Sequence, residues 1–397
     1  MNGPSPRRLR HYASKRLGLR GYLRSPGDGR PQPRIPASAL IWALLMGSLL
    51  RRSSFAAVEA LTRSSARSAL GLSRRFGDDS LAYFSERADP DVTRHATVTA
   101  LRCAKRNKAF QNSRFIGWAL DGTGAGRSTD EHCRLCRPFR NSKKEIVGYR
   151  HELVMISIVG AGLSLPFDVE PYGPGDSEYA AGQRLLRRAT ANLGPRFADY
   201  VVADAKFATA PFLHTAGELG FNVVARLKDN LPELFASAER RFGKQAPHQT
   251  FRHGQELVEI WDADDFDPWE TLDWTTVRVL RYRQHKRNGT VIEAYWLTNF
   301  PPGKVGSREL FRMAKSRWEI ENQGFNDAKT RYGFEHICHH EPNSLLLEWL
   351  LIVLTLTIER LYRVRYLHRG KHTIYTAIEL WQLLWLSLSR PAKHNTS

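Results

Sequence analysis

Apolar residues recur at helical spacing in the first third of the chain. Between residues 37 and 50 they return every three or four positions, which predicts a helix. Further helices are predicted at 54–61, 81–84 and 92–110. The first 36 residues are rich in Pro, Gly and Arg and have no period that would bury one face. We therefore predict that residues 1–110 form a loose basic arm followed by a small helical module.

Short apolar runs replace this pattern after residue 110. Buried strands are predicted at 115–120, 152–159, 163–169, 199–203 and 221–227. The glycines at 160 and 162 separate the second run from the third and indicate a hairpin. Helices are predicted at 177–191 and 210–219. This order of elements is typical of an α/β domain with a mixed sheet.

A second β-rich block follows, with strands predicted at 258–261, 275–282 and 291–297. The rest of the chain has a helical pattern. Its longest apolar stretch, 345–358, is shorter than the ~20 residues that a bilayer span needs, so it is predicted to be a buried core helix. The resulting division is a first core part at 111–248, a β insertion at 249–302, a last core part at 303–345 and a C-terminal helical segment at 346–397.

The charge balance is the most informative feature of the composition. Lys and Arg number 59 against 40 Asp and Glu, giving a formal net charge of +19. Such a surplus implies a polyanionic partner, and the absence of a long basic amphipathic helix favours nucleic acid over a membrane. The start of the chain has no apolar stretch of the secretory kind. We predict a cytoplasmic, nucleoid-associated protein that binds DNA through the residues 1–110 module.

Three acidic residues occur in settings that suit metal-dependent chemistry. Asp121 follows the first predicted strand, Asp204 follows the fourth, and Glu321 lies in a predicted late helix. Alone, Asp121 is equally consistent with a turn, and Glu321 with an ion pair to Arg317. Together they offer the hard oxygen ligands that Mg²⁺ prefers. Phosphoryl transfer uses two such cations, so the trio predicts DNA cleavage or joining.

The sequences around these acids resemble a known family. Residues 317–321, Arg-Trp-Glu-Ile-Glu, resemble the Arg-Trp-x-Ile-Glu signature of bacterial DDE transposases of the IS-four group. Residues 120–123 and 203–207 resemble the first two acidic blocks of that family. The resemblance covers about 115–341. It implies an RNase H-like fold: a mixed α/β sheet flanked by helices, with a β insertion before the last catalytic helix and a helical N-terminal module.

The resemblance also implies an activity and partners. The expected reaction is cut-and-paste transposition by a homodimer acting on double-stranded terminal inverted repeats and target DNA. The expected catalytic and metal-binding residues are Asp121, Asp204 and Glu321, with Mg²⁺ as the cation and Mn²⁺ able to substitute.

Two positions differ from the extended family signature, Tyr-x₂-Arg-x₃-Glu-x₆-Lys. Ala314 occupies the Tyr position and Ala328 the Lys position, with Lys329 one residue later. One residue turns an α-helix by about 100°, so Lys329 can replace the expected lysine only if the helix unwinds locally. Two alternatives therefore stay open: a non-catalytic or domesticated DNA-binding protein, and an RNase H-like nuclease.

Basic residues near the acidic blocks are candidate DNA contacts. Arg317 and Lys329 belong to the late helix, and Lys143 and Lys144 belong to a basic loop after the first acidic block. For Arg317, an ion pair with Glu321 is an equally good interpretation.

A possible structural zinc site is the last candidate. Cys133 and Cys136 have the Cys-x₂-Cys spacing of half a zinc site, and Cys338 and His340 could supply the other half. Reduced thiols without metal are the alternative.

Overall fold

The computed structural model of the protein describes residues 4–72, 74–111, 113–364 and 376–389. Its helices are α1 (Pro6–Arg16), α2 (Arg20–Arg24), α3 (Ala37–Leu49), α4 (Phe55–Arg63), α5 (Ala66–Leu70), α6 (Asp78–Arg87), α7 (Pro90–Arg106), α8 (Glu178–Leu193), α9 (Ala210–Glu218), α10 (Pro232–Gly243), α11 (Ser307–Glu319), α12 (Asn326–Tyr332), α13 (Pro342–Tyr362) and α14 (Ala377–Ser389). Its strands are β1 (Gly117–Ser128), β2 (Arg137–Arg140), β3 (Ile146–Val159), β4 (Leu165–Tyr172), β5 (Tyr200–Ala203), β6 (Asn222–Leu227), β7 (Gln249–His253), β8 (Glu256–Phe266), β9 (Val277–His285) and β10 (Val291–Thr298). A 3₁₀ turn spans Ala205–Phe207, and a π-helical segment spans Ile320–Phe325.

The N-terminal residues fold against the rest of the chain. Leu9 and Tyr12 of α1 are buried, and the Tyr12 ring packs edge-on against Tyr362 of α13 with 5.3 Å between ring centroids. The predicted loose arm is therefore wrong for α1 and α2. A few apolar residues at helical spacing are enough to bury one face of α1, and the surrounding Arg and Lys residues conceal this pattern in the sequence.

A buried ion-pair network joins the helical module to the sheet. Arg94 of α7 donates from Nε to Asp168 Oδ1 at 2.9 Å, and Arg188 of α8 donates from Nε to Asp168 Oδ2 at 2.8 Å. Asp168 is 3% exposed, so it needs both partners. The predicted helical module is thus fixed to β4, and its apolar side chains belong to the same hydrophobic cluster as those of the sheet.

One mixed sheet forms the centre of the molecule. Its strand order is β2-β3-β1-β5-β6-β10-β9-β8-β7, and β4 pairs with β3. Strand β1 is antiparallel to β3 and parallel to β5, and β5 is parallel to β6. An antiparallel β4-β3-β1 unit followed by the parallel strands β5 and β6 is the RNase H-like arrangement. The predicted fold class is confirmed.

The strands of the predicted β insertion continue this sheet. Strand β10 pairs antiparallel with β6, and β9, β8 and β7 extend the sheet from there. The turn between β9 and β10 contains Gly289 at φ +80°, a left-handed conformation that glycine adopts without a Cβ penalty. The block at 249–302 is therefore a sheet extension between α10 and α11.

The late helical region contains an irregular segment. Helix α11, the π-helical segment and α12 follow one another without a break. The π-helical segment, called the π turn below, includes Glu321. Arg360 of α13 donates to the Gln323 carbonyl in this segment, and the Gln323 side-chain oxygen accepts from Ser164 N at 3.1 Å. The first contact gives the Gln323 carbonyl a side-chain donor, and the second links the π-helical segment to Ser164, just before β4.

The predicted buried helix at 345–358 is confirmed as part of α13, most of which is buried. Among the described residues, no helix has the length and apolar character needed to cross a membrane. Parts of the predicted C-terminal segment, residues 365–375 and 390–397, lie outside the described residues.

Candidate active site

Strand register brings the first two acidic blocks side by side. Leu120 of β1 is paired in parallel with Ala203 of β5, so Asp121 and Asp204 follow adjacent positions of neighbouring strands. Strand β5 ends at Ala203, but β1 continues to Ser128, paired with β3 alone. The prediction that the first strand ends at Leu120, just before Asp121, is therefore wrong. Asp121 lies inside a longer strand, at the point where its parallel neighbour stops.

Arg317 connects the first acid to the third. Its Nη1 lies 3.0 Å from Asp121 Oδ2 and 2.8 Å from Glu321 Oε1. Arg317 is 7% exposed, so it faces these carboxylates more than solvent. The predicted ion pair with Glu321 is present, and it is shared with Asp121.

The three acids also interact electrostatically. Burial raises the pKa of Asp121 to about 7; Arg317 opposes the rise, and Glu321 and Asp204 add to it. Glu321 and Asp204 therefore lie close enough to Asp121 to influence its charge, and the Arg317 guanidinium supplies the closest positive charge to Asp121. This excess of negative charge, carried by hard oxygen donors, is the composition that divalent cations such as Mg²⁺ require.

Two lysines lie close to the acids, and neither was predicted from the sequence to belong to the site. Lys228 Nζ lies 4.0 Å from Asp204 Oδ1. Lys206 pairs with Glu178 at 2.9 Å, and this hydrogen bond, with contributions from Asp121 and Asp204, raises the pKa of Lys206. Lys228 directly follows β6, the parallel neighbour of β5. Its position after a strand end is the signal that could have identified it.

The other predicted DNA contacts lie on separate elements. Lys143 and Lys144 are exposed at the turn between β2 and β3, where Lys143 N donates to Asn141 Oδ1 at 2.9 Å. Lys329 of α12 forms an ion pair with Glu335 at 2.9 Å, and its side chain is 26% exposed.

The profile of a protein family described as "Transposase DDE domain" matches residues 134–358 of the chain. The match covers more than half of the sequence and contains Asp204 and Glu321, and it begins shortly after Asp121. This chain belongs to the DDE transposases.

Among solved structures, the transposase is similar to one described as a cryo-EM structure of a piggyBac transposase synaptic complex with hairpin DNA. The identity is 12%, the TM-score is 0.47, and the alignment covers 98% of this chain and 80% of that one. No curated protein matches the sequence.

The predicted zinc ligands of the transposase are only partly brought together. Cys133 and Cys136 lie beside His151, which the sequence interpretation missed. Cys338 points elsewhere, because its thiol donates to the Ser53 carbonyl at 2.7 Å. Cys338 is therefore not a member of this cluster. His151 lies in β3. The antiparallel pairing of β2 with β3 sets Arg137 opposite Arg150 and thereby brings together Cys136 and His151, the residues next to them.

Proposed function

We propose that this transposase cleaves DNA at the ends of an insertion sequence and joins the freed 3′-hydroxyl to target DNA, with Asp121, Asp204 and Glu321 as ligands for Mg²⁺. The observation that carries this proposal is the proximity of Asp204 and Glu321 to Asp121. Parallel pairing of Leu120 with Ala203 places the two aspartates next to each other. Arg317 then links Asp121 to the glutamate on the late helix.

The donor set fits divalent cations. Three carboxylates supply hard oxygen ligands, and Mn²⁺ accepts the same ligands as Mg²⁺. Bound cations would provide Lewis acidity at the attacking and leaving oxygens of the phosphodiester. The chain itself holds the carboxylates on a strand, at a strand end and in a π turn, so their positions are set before DNA binds.

Charged neighbours have distinct tasks in this proposal. Arg317 offsets repulsion between Asp121 and Glu321 and keeps both side chains in place. Lys228 and Lys206 border the acids on the side of Asp204 and Glu178, where they can attract a DNA phosphate.

Gly122 has a local reason to be glycine, because a Cβ at this position would collide with the Glu178 carboxylate.

The π turn supports assignment to the IS-four group and its Tyr-Arg-Glu-Lys signature. A π turn contains one residue more than an α turn. It therefore offsets the one-residue delay of Lys329 after Glu321, and we propose that Lys329 takes the role of the signature lysine. Ala314 is 0% exposed, so the position of the signature tyrosine packs into the core and does not contribute to DNA binding.

We propose double-stranded DNA as the partner, held by a homodimer in the cytoplasm at the nucleoid. Lys143 and Lys144 are exposed at a hairpin turn and suit contacts to the phosphate backbone. The helical module at residues 4–110 carries much of the basic surplus and is proposed to bind the terminal repeats.

The test is cleavage and strand transfer in vitro on DNA that carries the inverted repeats flanking the gene, with Mg²⁺. We expect joined products with the wild type and a loss of about 10³-fold or more with Asp204→Asn. Asp267→Asn, an exposed acid in the sheet extension, is the matched control and should retain activity.

The outcomes separate the alternatives. Cleavage without joined products would support a nuclease, and repeat binding without cleavage would support a domesticated DNA-binding protein. Activity of Asp204→Asn close to that of the wild type would falsify the metal-ligand assignment.

A further inference from the structure

Two cysteines and one histidine meet at the edge of β3, away from the three acids. The two sulfurs, Cys133 Sγ and Cys136 Sγ, are 3.8 Å apart. His151 Nε2 lies 3.2 Å from Cys133 Sγ and 3.6 Å from Cys136 Sγ. Around a tetrahedral Zn²⁺, the usual bond lengths place two sulfurs roughly 3.8 Å apart and a sulfur and a nitrogen roughly 3.6 Å apart. Two of the three distances between donor atoms match this spacing, and the Cys133–His151 distance is somewhat shorter.

The surrounding structure holds these donors in place. The Cys-x₂-Cys segment forms a turn in which Cys136 N donates to the Cys133 carbonyl at 3.0 Å. His151 hydrogen-bonds the backbone of Ala125, its register partner on β1, while its Nε2 faces the sulfurs. A ligand histidine in a metal site usually has such a backbone partner on its second ring nitrogen. Trp349 packs edge-on against the His151 ring.

His340 is the best candidate for the fourth ligand. Its ring centroid is 5.8 Å from that of His151, and its buried Nδ1 has no hydrogen-bond partner among the described residues. The segment that carries it is anchored on β1, where Ile337 packs closely against Gly126. His132 is a poorer candidate, because it is exposed and its Nε2 already lies 2.8 Å from Ser128 Oγ.

We propose that Cys133, Cys136, His151 and His340 bind one structural Zn²⁺ ion. Four protein ligands leave no open coordination position, so the ion would have a structural role. It would join three segments that are distant in sequence: the loop between β1 and β2, strand β3, and the loop before α13. The β2–β3 hairpin, which ends in Lys143 and Lys144, would thereby be fixed at its base. This inference does not depend on the proposed transposition reaction.

Metal content of the purified full-length protein is the first measurement. We expect one zinc per chain by mass spectrometry after reconstitution with Zn²⁺ and gel filtration, and loss of that zinc in Cys136→Ser. Cys338→Ser is the matched control, because its thiol contacts the Ser53 carbonyl instead, and this variant should keep its zinc. A wild type that retains no zinc would overturn the proposal. Loss of zinc from Cys338→Ser would overturn the ligand set.

A spectroscopic measurement on the wild type avoids the risk that a cysteine variant fails to fold. We expect Co²⁺ to give a thiolate-to-cobalt charge-transfer band and the strong visible absorption of a tetrahedral site. The Asp and Glu residues of the active site cannot produce the thiolate band. Asp204→Asn should therefore show the same spectrum as the wild type, which separates failure of this proposal from failure of the proposed function. A weak, six-coordinate spectrum without the thiolate band would overturn the site.

The fourth ligand is tested by a pair of histidine variants. His340→Ala should alter the cobalt spectrum and weaken zinc retention, whereas His132→Ala should change neither. The reverse result would overturn the assignment of His340.

Discussion

Arg317 and Asp121 form an ion pair with 3.0 Å between Nη1 and Oδ2, although 196 positions separate them in the chain. The same Nη1 contacts Glu321 Oε1 at 2.8 Å. One guanidinium thus holds together two carboxylates that come from different elements. Without it, two neighbouring negative charges, one of them on the buried Asp121, would repel each other.

Asp121→Asn should abolish catalysis and stabilise the metal-free protein at alkaline pH. Burial raises the pKa of Asp121 from its ordinary 3.8 to about 7. The resulting contribution to stability is complete below pH 3.8 and is lost as the pH rises to about 7, because folding then requires a buried charge. The difference amounts to roughly 4 kcal/mol. Asparagine resembles the neutral acid and does not titrate.

The measurement is thermal unfolding without divalent cations. At pH 8 the melting temperature of Asp121→Asn should exceed that of the wild type, and the gap should narrow by pH 5. Asp267→Asn should follow the wild type at both values. A variant that is less stable than the wild type at pH 8 contradicts the raised pKa of Asp121.

Arg317→Gln should shift the pH dependence of cleavage to higher pH. Arg317 lowers the pKa of Asp121, so its removal raises that pKa further. Metal binding needs the deprotonated carboxylate, and the acid limb of the rate profile should move in the alkaline direction. Arg312→Gln, an exposed change on the same helix, is the control. An equal loss of rate at every pH would instead indicate that Arg317 acts only by contacting DNA.

Lys329→Ala should reduce the salt dependence of binding to terminal-repeat DNA. If Lys329 neutralises one phosphate, the slope of log K against log salt concentration should decrease in magnitude by about 0.9. Without DNA, Lys329 forms an ion pair with Glu335, so this ion pair must break before Lys329 can contact a phosphate. Fluorescence anisotropy at several salt concentrations measures the slope. Lys244→Ala, an exposed lysine at the end of α10, should leave it unchanged.

Arg360→Met should destabilise the fold and impair the active site. The Arg360 guanidinium is 1% exposed, lies 2.9 Å from Asp327 Oδ2 and donates to the Gln323 carbonyl of the π turn. Removing one partner of a buried pair costs about 3 kcal/mol or more. Urea unfolding should show this loss, and cleavage by the folded variant should still be reduced, because Glu321 occupies the same π turn.

Replacing both members of the pair separates these two effects. Arg360→Met combined with Asp327→Leu also removes the carboxylate that Arg360→Met leaves with Arg331 as its partner, and should recover part of the stability. It should not recover cleavage, because the Gln323 carbonyl remains without its donor. Full recovery of cleavage would show that the guanidinium is not needed to maintain the π turn.

Local patterns were sufficient to predict most of the elements. The apolar period at 37–50 gave α3, and the apolar runs gave β1, β3, β4, β5 and β6, because burial of one face leaves a regular trace in the sequence. Helix α1 escaped prediction because only a few of its residues are apolar. The π turn escaped because an extra residue in a helix has no compositional signature.

The three acids and the cluster of Cys133, Cys136 and His151 differ in how much of each the sequence alone could identify. Asp121 and Asp204 could be selected because each follows an apolar run. His151 could not, because it lies within a long strand and becomes a neighbour of Cys133 and Cys136 only through the pairing of β2 with β3.

The element types, the basic character of the chain and the identity of the acidic residues follow from local sequence, since these depend on side chains close together in the polymer. Three relationships emerge only in the folded chain: Arg317 bridges Asp121 and Glu321, the β block extends the main sheet, and His151 lies where Cys338 was predicted. Those relationships depend on strand register and on the burial of charge, and both involve residues that are far apart in the sequence.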